Sequence, residues 1–270
     1  MTRSGAVPGR ETSFMNSLAI QWRVIRALLM REVITRFGRH NIGVLWLVGE
    51  PMLFTLGVAA LWSAAGLSHG SGLPIIAFAI TGYSSVLLWR NSVSRVNSSI
   101  QQNFNLLYHR NVRVIDVFLT RIILELAGAT GSFIILALFF TAGGWIKPPE
   151  DLLRVLQGWG MLAWFGASLS LTIGAATAYS EIIERLWHPA SYLLFPLSGA
   201  AFMVEWLPPG GQQVVLLLPM VHGVEMVREG YFGSAVHTHY DLAYMAICCL
   251  VLTFVGLYLV QDAGRRAEIR

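Results

Sequence analysis

The chain has 270 residues, of which 55% are hydrophobic and only 13% are charged, with a mean hydropathy of +0.58 and a formal net charge of +4. So few charges exclude an ordinary soluble domain, which depends on a charged surface to stay dispersed. The basic balance is almost wholly arginine, Lys147 being the only lysine, and it does not describe a nucleic-acid binder, because the arginines flank apolar stretches instead of forming one basic stripe.

Residues 126–146, 155–179, 186–204 and 242–261 carry no Asp, Glu, Lys or Arg. Each is about as long as the ~20 apolar residues that cross a bilayer. In chain order, residues 1–15 form a polar stretch with Gly, Pro and Ser, without the apolar core of a secretory signal, and read as a disordered cytoplasmic tail. Residues 16–40 read as an interface helix. Leu18, Trp22, Ile25, Leu29, Val33 and Phe37 recur at steps of three and four, with Arg23 and Arg26 off that stripe. Span one is expected at 42–65 and contains Glu50 followed by Pro51. An ionisable group there is expected to face protein or water, and the proline to kink the helix.

Span two is expected at 73–89. Residues 93–113 then read as a short cytoplasmic amphipathic helix with Val93, Val96, Ile100, Phe104 and Leu107 in step and its amides exposed. Span three is expected at 117–145, with Arg121 and Glu125 spaced to pair on one face. Span four follows at 153–179, after a short outer turn with Pro148 and Pro149, and span five at 186–205, interrupted by Pro189 and Pro196. Residues 206–240 hold Pro208, Pro209, Gly210, Gly211 and Pro219. Their apolar run is too short to cross, so they read as outer re-entrant helices. Span six is expected at 242–261. The expected fold is an all-α membrane protein of six transmembrane helices in a single domain over 16–270.

Sixteen of the nineteen Lys and Arg residues fall on one side of this arrangement, leaving Lys147, Arg154 and Arg228 outside. That asymmetry places both termini in the cytoplasm.

Several chemistries are missing. The single lysine follows Trp145 and Ile146, so there is no glycine-rich phosphate loop ending in lysine, and ATP cannot be bound that way. Neither HExxH nor GxSxG occurs, His237 and His239 have no further obvious ligands, and no metal site is expected. Cys248 and Cys249 are adjacent in an apolar run and read as packing residues. His222, Glu225 and Arg228 share a loose helical face, better suited to tying the re-entrant helices together than to catalysis.

The stretch from Arg31 and Glu32 through Arg36, Gly38 and Arg39, continued by Asn41, Gly43, Trp46, Glu50 and Pro51, resembles the membrane subunits of ABC-2 type polysaccharide exporters. The fit is closest to their capsule-exporting branch in Gram-negative bacteria. A second matching piece runs from Pro219 through His222 and Glu225 to Arg228 and Tyr231. The resemblance covers residues 16 to the end.

The resemblance implies an inner-membrane permease that is not itself an enzyme and works as a homodimer with two separate ATPase subunits, which hold the ATP and magnesium. A periplasmic adaptor and an outer-membrane export protein complete such systems. It further implies a path for a lipid-linked polysaccharide along spans one and five. Trp46, Glu50, Phe54, Trp62, Tyr192 and Phe195 lie on those spans, and Arg36, Arg39 and His40 lie at the inner mouth. Aromatic rings can stack on sugar faces and tolerate sliding, and arginines can attract acidic sugars or a lipid phosphate. Contact with lipid or core is the alternative for each aromatic, and headgroup contact for the arginines. Arg31 and Glu32, with Ile100, Gln101, Gln102, Asn103 and Phe104, are implied to press into the ATPase. An O-antigen, teichoic-acid or drug exporter of the same fold is the alternative, and a membrane enzyme modifying lipid or glycan a more distant one.

Overall fold

The computed structural model describes residues 14–37, 42–66, 72–103 and 112–269, with the side chains of 14, 36, 37, 42–44 and 266–269 lying outside that description. The expected tail, Arg39, His40 and Phe104, and the side chain of Arg36, therefore lie outside the described residues. What is described is helical throughout, with no strand. The elements are α1 (Phe14–Phe37), α2 (Ile42–Ala64), α3 (Ile75–Asn97), α4 (Ser99–Gln102), α5 (Val114–Ala142), α6 (Leu152–Ala176), α7 (Glu181–Leu197), α8 (Pro209–Val215), α9 (Pro219–Phe232) and α10 (Leu242–Ile269).

Helices α3 and α6 form the centre. α3 packs against α2, α5, α6 and α9, and α6 against α3, α9 and α10. Small residues let these helices come close. A Cβ on Gly166 of α6 would lie 2.9 Å from the Trp89 Cα of α3, and one on Gly256 of α10 would lie 2.8 Å from the Leu171 Cβ of α6. Close approach of this kind drives association where lipid is as apolar as leucine. Along α3, Val86, Leu88, Trp89, Val93 and Val96 are all without solvent exposure.

Four helical stretches are long and apolar enough to cross a membrane: Leu45–Ala64, Val114–Ala142, Leu152–Ala176 and Leu242–Arg265. They correspond to the expected spans one, three, four and six. The other two expected spans differ from the expectation. The second occupies α3, which continues past Trp89 to Asn97, so Val93 and Val96 belong to this central helix and not to a surface helix over 93–113. α3 stops at Ser98, and α4 follows as a single turn. The amides expected to be exposed are divided. Asn97 and Asn103 are buried, Asn97 donating to the Glu184 carbonyl at 3.1 Å, whereas Gln101 and Gln102 face outward.

The fifth expected span is also not one helix over 186–205. Ser180 caps α7 by accepting from the Ile182 N–H at 3.2 Å, so the helix begins earlier, and it ends at Leu197. Pro196 removes a backbone donor from its last turn, and Gly199 takes a φ of +83° that reverses the chain. Ala200, Met203 and Val204 then turn inward and are buried.

α1 packs along one side onto α5 and α2. Its packed side carries Gln21, Ile25, Leu28 and Glu32, and Gln21 donates to Asp116 of α5 at 3.1 Å. Of the expected apolar stripe, Ile25 is buried, Leu29 and Val33 are half-buried, and Leu18 and Trp22 are exposed. The polar pairs to α5 hold that side in place, and the first two residues of the stripe are left facing outward.

Candidate functional site

Three groups of side chains stand out, and the first is a band of aromatic rings across α2, α3 and α7. Phe54 lies 6.0 Å from both Tyr83 and Phe195, Tyr83 and Phe195 are 5.4 Å apart, and Trp62 meets Tyr83 edge-on at 5.2 Å. Trp62 also approaches Phe78 at 6.2 Å, and Phe78 stacks on Trp206 at 5.2 Å. Separations of 4.5–7 Å are those of favourable aromatic pairs. Three of the residues singled out in the sequence, Phe54, Trp62 and Phe195, are thus brought together. Tyr192 joins through Arg90, whose guanidinium carbon lies 5.1 Å from the Tyr192 ring centroid and 5.5 Å from that of Phe195. Trp46 is exposed on α2, two turns before Phe54.

The second group is ionic and lies where α1, α3, α4 and α5 meet. Arg121 and Glu125 do not pair with each other. Arg121 reaches Glu32 of α1 at 3.3 Å, the Gln102 side-chain oxygen of α4 at 2.8 Å and the Arg95 carbonyl of α3 at 2.7 Å. Glu125 meets Arg95 at 3.5 Å, and Arg95 also meets Glu50 at 3.3 Å. The fork of Arg121 satisfies two acceptors through its Nη groups and lies beside the Glu32 carboxylate, so it ties together three neighbouring elements. Arg31 donates to Asn103 at 3.2 Å, and Asn103 in turn donates to the Ser99 carbonyl at 3.0 Å. Of the residues expected to face an ATPase, Glu32 and Gln102 therefore meet through Arg121, and Arg31 and Asn103 form a second pair beside them. Gln101 is exposed beside it, and Ile100 packs partly against the Val96–Phe118 core.

The third group ties the segment after α7 to α9. Arg228 is completely buried and donates to the carbonyls of Gly199 (2.7 Å), Ala200 (2.6 Å) and Phe202 (2.5 Å), with Phe78 beneath it at 3.7 Å. Glu225 accepts from the N–H groups of Val204 (3.2 Å) and His239 (3.1 Å). Burial pushes its carboxyl above the usual carboxylate range, against the pull of the Arg228 charge. His222 accepts the Asp241 N–H at Nδ1 (2.9 Å) and faces the Leu216 carbonyl with Nε2 (2.8 Å), so it is the neutral Nε2–H tautomer. Burial lowers its pKa, with the Leu216 carbonyl and Asp241 pulling it back. Tyr231 donates to the Lys147 carbonyl at 2.9 Å and ties the outer turn to the end of α9. These groups are occupied with backbone partners, which is a structural arrangement and not that of a catalytic cluster.

Sequence reasoning missed Phe78, Tyr83, Arg90 and Trp206 in the band, because it considered only the first and fifth spans as lining. It also missed Arg95 as the bridge between Glu50 and Glu125. The signal available was the spacing of Phe78, Tyr83 and Arg90 along one apolar helix.

The family model described as ABC-2 type transporter matches residues 23–232. The chain is 47% identical over 258 residues to the capsule polysaccharide export inner-membrane protein CtrC of Neisseria meningitidis serogroup B, which covers 96% of this chain and 97% of that protein. It is 43% identical over 260 residues to the capsule polysaccharide export inner-membrane protein BexB of Haemophilus influenzae, with 96% and 98% covered. A more distant relative, the polysialic acid transport protein KpsM of Escherichia coli, is 24% identical over 242 residues, with 90% and 94% covered. With the family pattern spanning most of the chain and identity sustained along nearly all of it, the protein belongs to the ABC-2 type transporter family.

Proposed function

We propose that this chain is the membrane-spanning permease of an ATP-driven exporter that moves a lipid-linked capsular polysaccharide across a bacterial inner membrane. The observation that carries this reading is the identity of 47% to a capsule polysaccharide export protein, sustained over 96% of the chain. Two copies of the chain enclose the path, and α3 and α7 complete six spans with both termini in the cytoplasm. The ATP and magnesium sit on two separate ATPase subunits, which act on α1 and α4 through the network around Arg121. A periplasmic adaptor and an outer-membrane export protein receive the polymer.

The aromatic band supports this reading because a sliding glycan needs apolar faces without deep traps, and offset rings provide them. The exposed side chains of α2 support it as well, since among the described residues no helix covers Leu45, Trp46, Leu53 and Leu61.

The test is deletion of the gene in its host with complementation by the intact chain. Loss of surface polysaccharide with polymer retained inside, reversed on complementation, is the expected result. A deletion strain with a normal surface coat would overturn the proposal. The purified chain alone should hydrolyse no ATP, and hydrolysis should appear when the companion ATPase is added.

A further inference from the structure

We propose that Arg90 is an oxyanion-recognition residue set within the aromatic band, and that it selects substrates carrying a carboxylate or phosphate group. This rests on the export reading above. Arg90 lies on α3 two turns beyond Tyr83, and its guanidinium packs against Tyr192 and Phe195 of α7 at 5.1 and 5.5 Å. Such stacking uses the flat face of the guanidinium and leaves its hydrogen-bonding edge unused.

Among the described residues Arg90 has no carboxylate partner and none of its guanidinium nitrogens makes a hydrogen bond, whereas Arg121 and Arg228, whose Nε atoms also lack an acceptor, are held through their Nη groups. Other arginines in the helical body are committed. Arg95 is taken by Glu50 and Glu125, Arg121 by Glu32, and Arg228 by three carbonyls. Arg90 lies one residue past the expected end of the second span, and an arginine held there against two rings with its fork unmet points to a ligand that completes it.

The surroundings suit an anion. Glu50 of α2 is already paired with Arg95, five residues on from Arg90. Tyr192 is 67% exposed, so the stacked edge is reached from outside the chain. A carboxylate or phosphate oxygen pair accepts two parallel N–H bonds from such a fork, while the rings on either side take the apolar sugar face. The oxyanion has two possible sources, an acidic sugar of the polymer or the phosphate of its lipid anchor.

The experiment uses the permease co-purified with its ATPase in lipid nanodiscs. The binding probes are a short oligogalacturonate, its carboxyl-reduced neutral form, and dihexanoyl phosphatidylglycerol. Arg90→Gln is expected to weaken binding of an anionic probe by about tenfold or more, with Arg90→Lys intermediate, and to leave the neutral glycan unchanged. Dependence on Arg90 for the oligogalacturonate identifies the sugar acid, and dependence for the lipid identifies the anchor phosphate. Equal binding of both anions by the wild type and Arg90→Gln overturns the proposal.

Should Arg90→Gln fail to assemble, phenylglyoxal modification of the wild type read by mass spectrometry decides the matter. Arg90 should be protected by an anionic probe and not by the neutral one, and absence of protection by either anion overturns the proposal. Because binding is read without transport, a failure here is distinct from a deletion strain that keeps its coat, which would remove the export reading instead.

Discussion

Arg228 has no solvent exposure and meets three carbonyls at the end of α7, so its charge is distributed over backbone dipoles at a chain reversal. Gly82 explains how the guanidinium fits. A Cβ there would lie 2.3 Å from the Ala200 oxygen and 2.5 Å from the Arg228 Nη2, so only glycine leaves the space. His222 works beside it in the opposite sense, needing to remain uncharged to accept the Asp241 N–H at Nδ1. Its pKa is lowered in the fold, so the folded state binds its proton less readily than the unfolded chain does. The stability it contributes is therefore present above about pH 6.5 and lost as pH falls through the lower folded value. The amide protection factors around residues 216–241, which remove the intrinsic pH dependence of exchange, should fall between pH 7 and pH 5, and His222→Gln should flatten that dependence. An unchanged pH profile in the variant would remove His222 as the cause.

At the scale of elements, the joint among α1, α4 and α5 depends on Arg121 and Glu32, whose side chains are 9% and 21% exposed. Breaking a buried pair by removing one partner costs about 3–5 kcal/mol, and partial exposure makes this case smaller. Glu32→Arg alone should reduce export severalfold, and adding Arg121→Glu should recover part of it. Capsule measured on cells with equal amounts of complex is the readout, and a double variant no better than the single one removes the pair from coupling. The periodicity of α1 was legible, but the polar pairs that hold it to α5 were not, because the partners of Gln21 and Glu32 lie about 90 residues away. Likewise α3 did not read as one long helix. Its Ser85 and Ser92 lower the apparent hydropathy, yet each hydroxyl donates to a carbonyl one turn back, at 2.6 and 2.8 Å, and is satisfied inside the helix. Polar residues that meet their own backbone look like a surface in sequence and sit in the core in three dimensions.

For the whole molecule, charge-free runs were enough to find α5, α6 and α10, and an apolar run interrupted only by Glu50 was enough for α2, because a bilayer imposes length and apolarity on each span separately. The aromatic positions on α2 and α7 were legible for the same reason. Their meeting through Tyr83 and Phe78 was not, since it depends on how helices distant in sequence pack. The apolar residues left uncovered on α2 and α7, among them Leu53, Leu61 and Leu193, suit a second copy of the chain. With Cys248 and Cys249 replaced by alanine, Leu53→Cys should form an oxidised dimer in membranes while Phe254→Cys on exposed α10 should not. The reverse pattern would place the two-fold contact on α10.

α3 and α4 are separated by the single residue Ser98, at φ −98° and ψ 10°, so the two do not share an axis. On the export reading proposed above, a thrust delivered at α4 by the ATPase cannot travel up α3 as along a straight rod. It is turned aside at the elbow and reaches the bundle as torque, twisting the inner end of α3 against its neighbours.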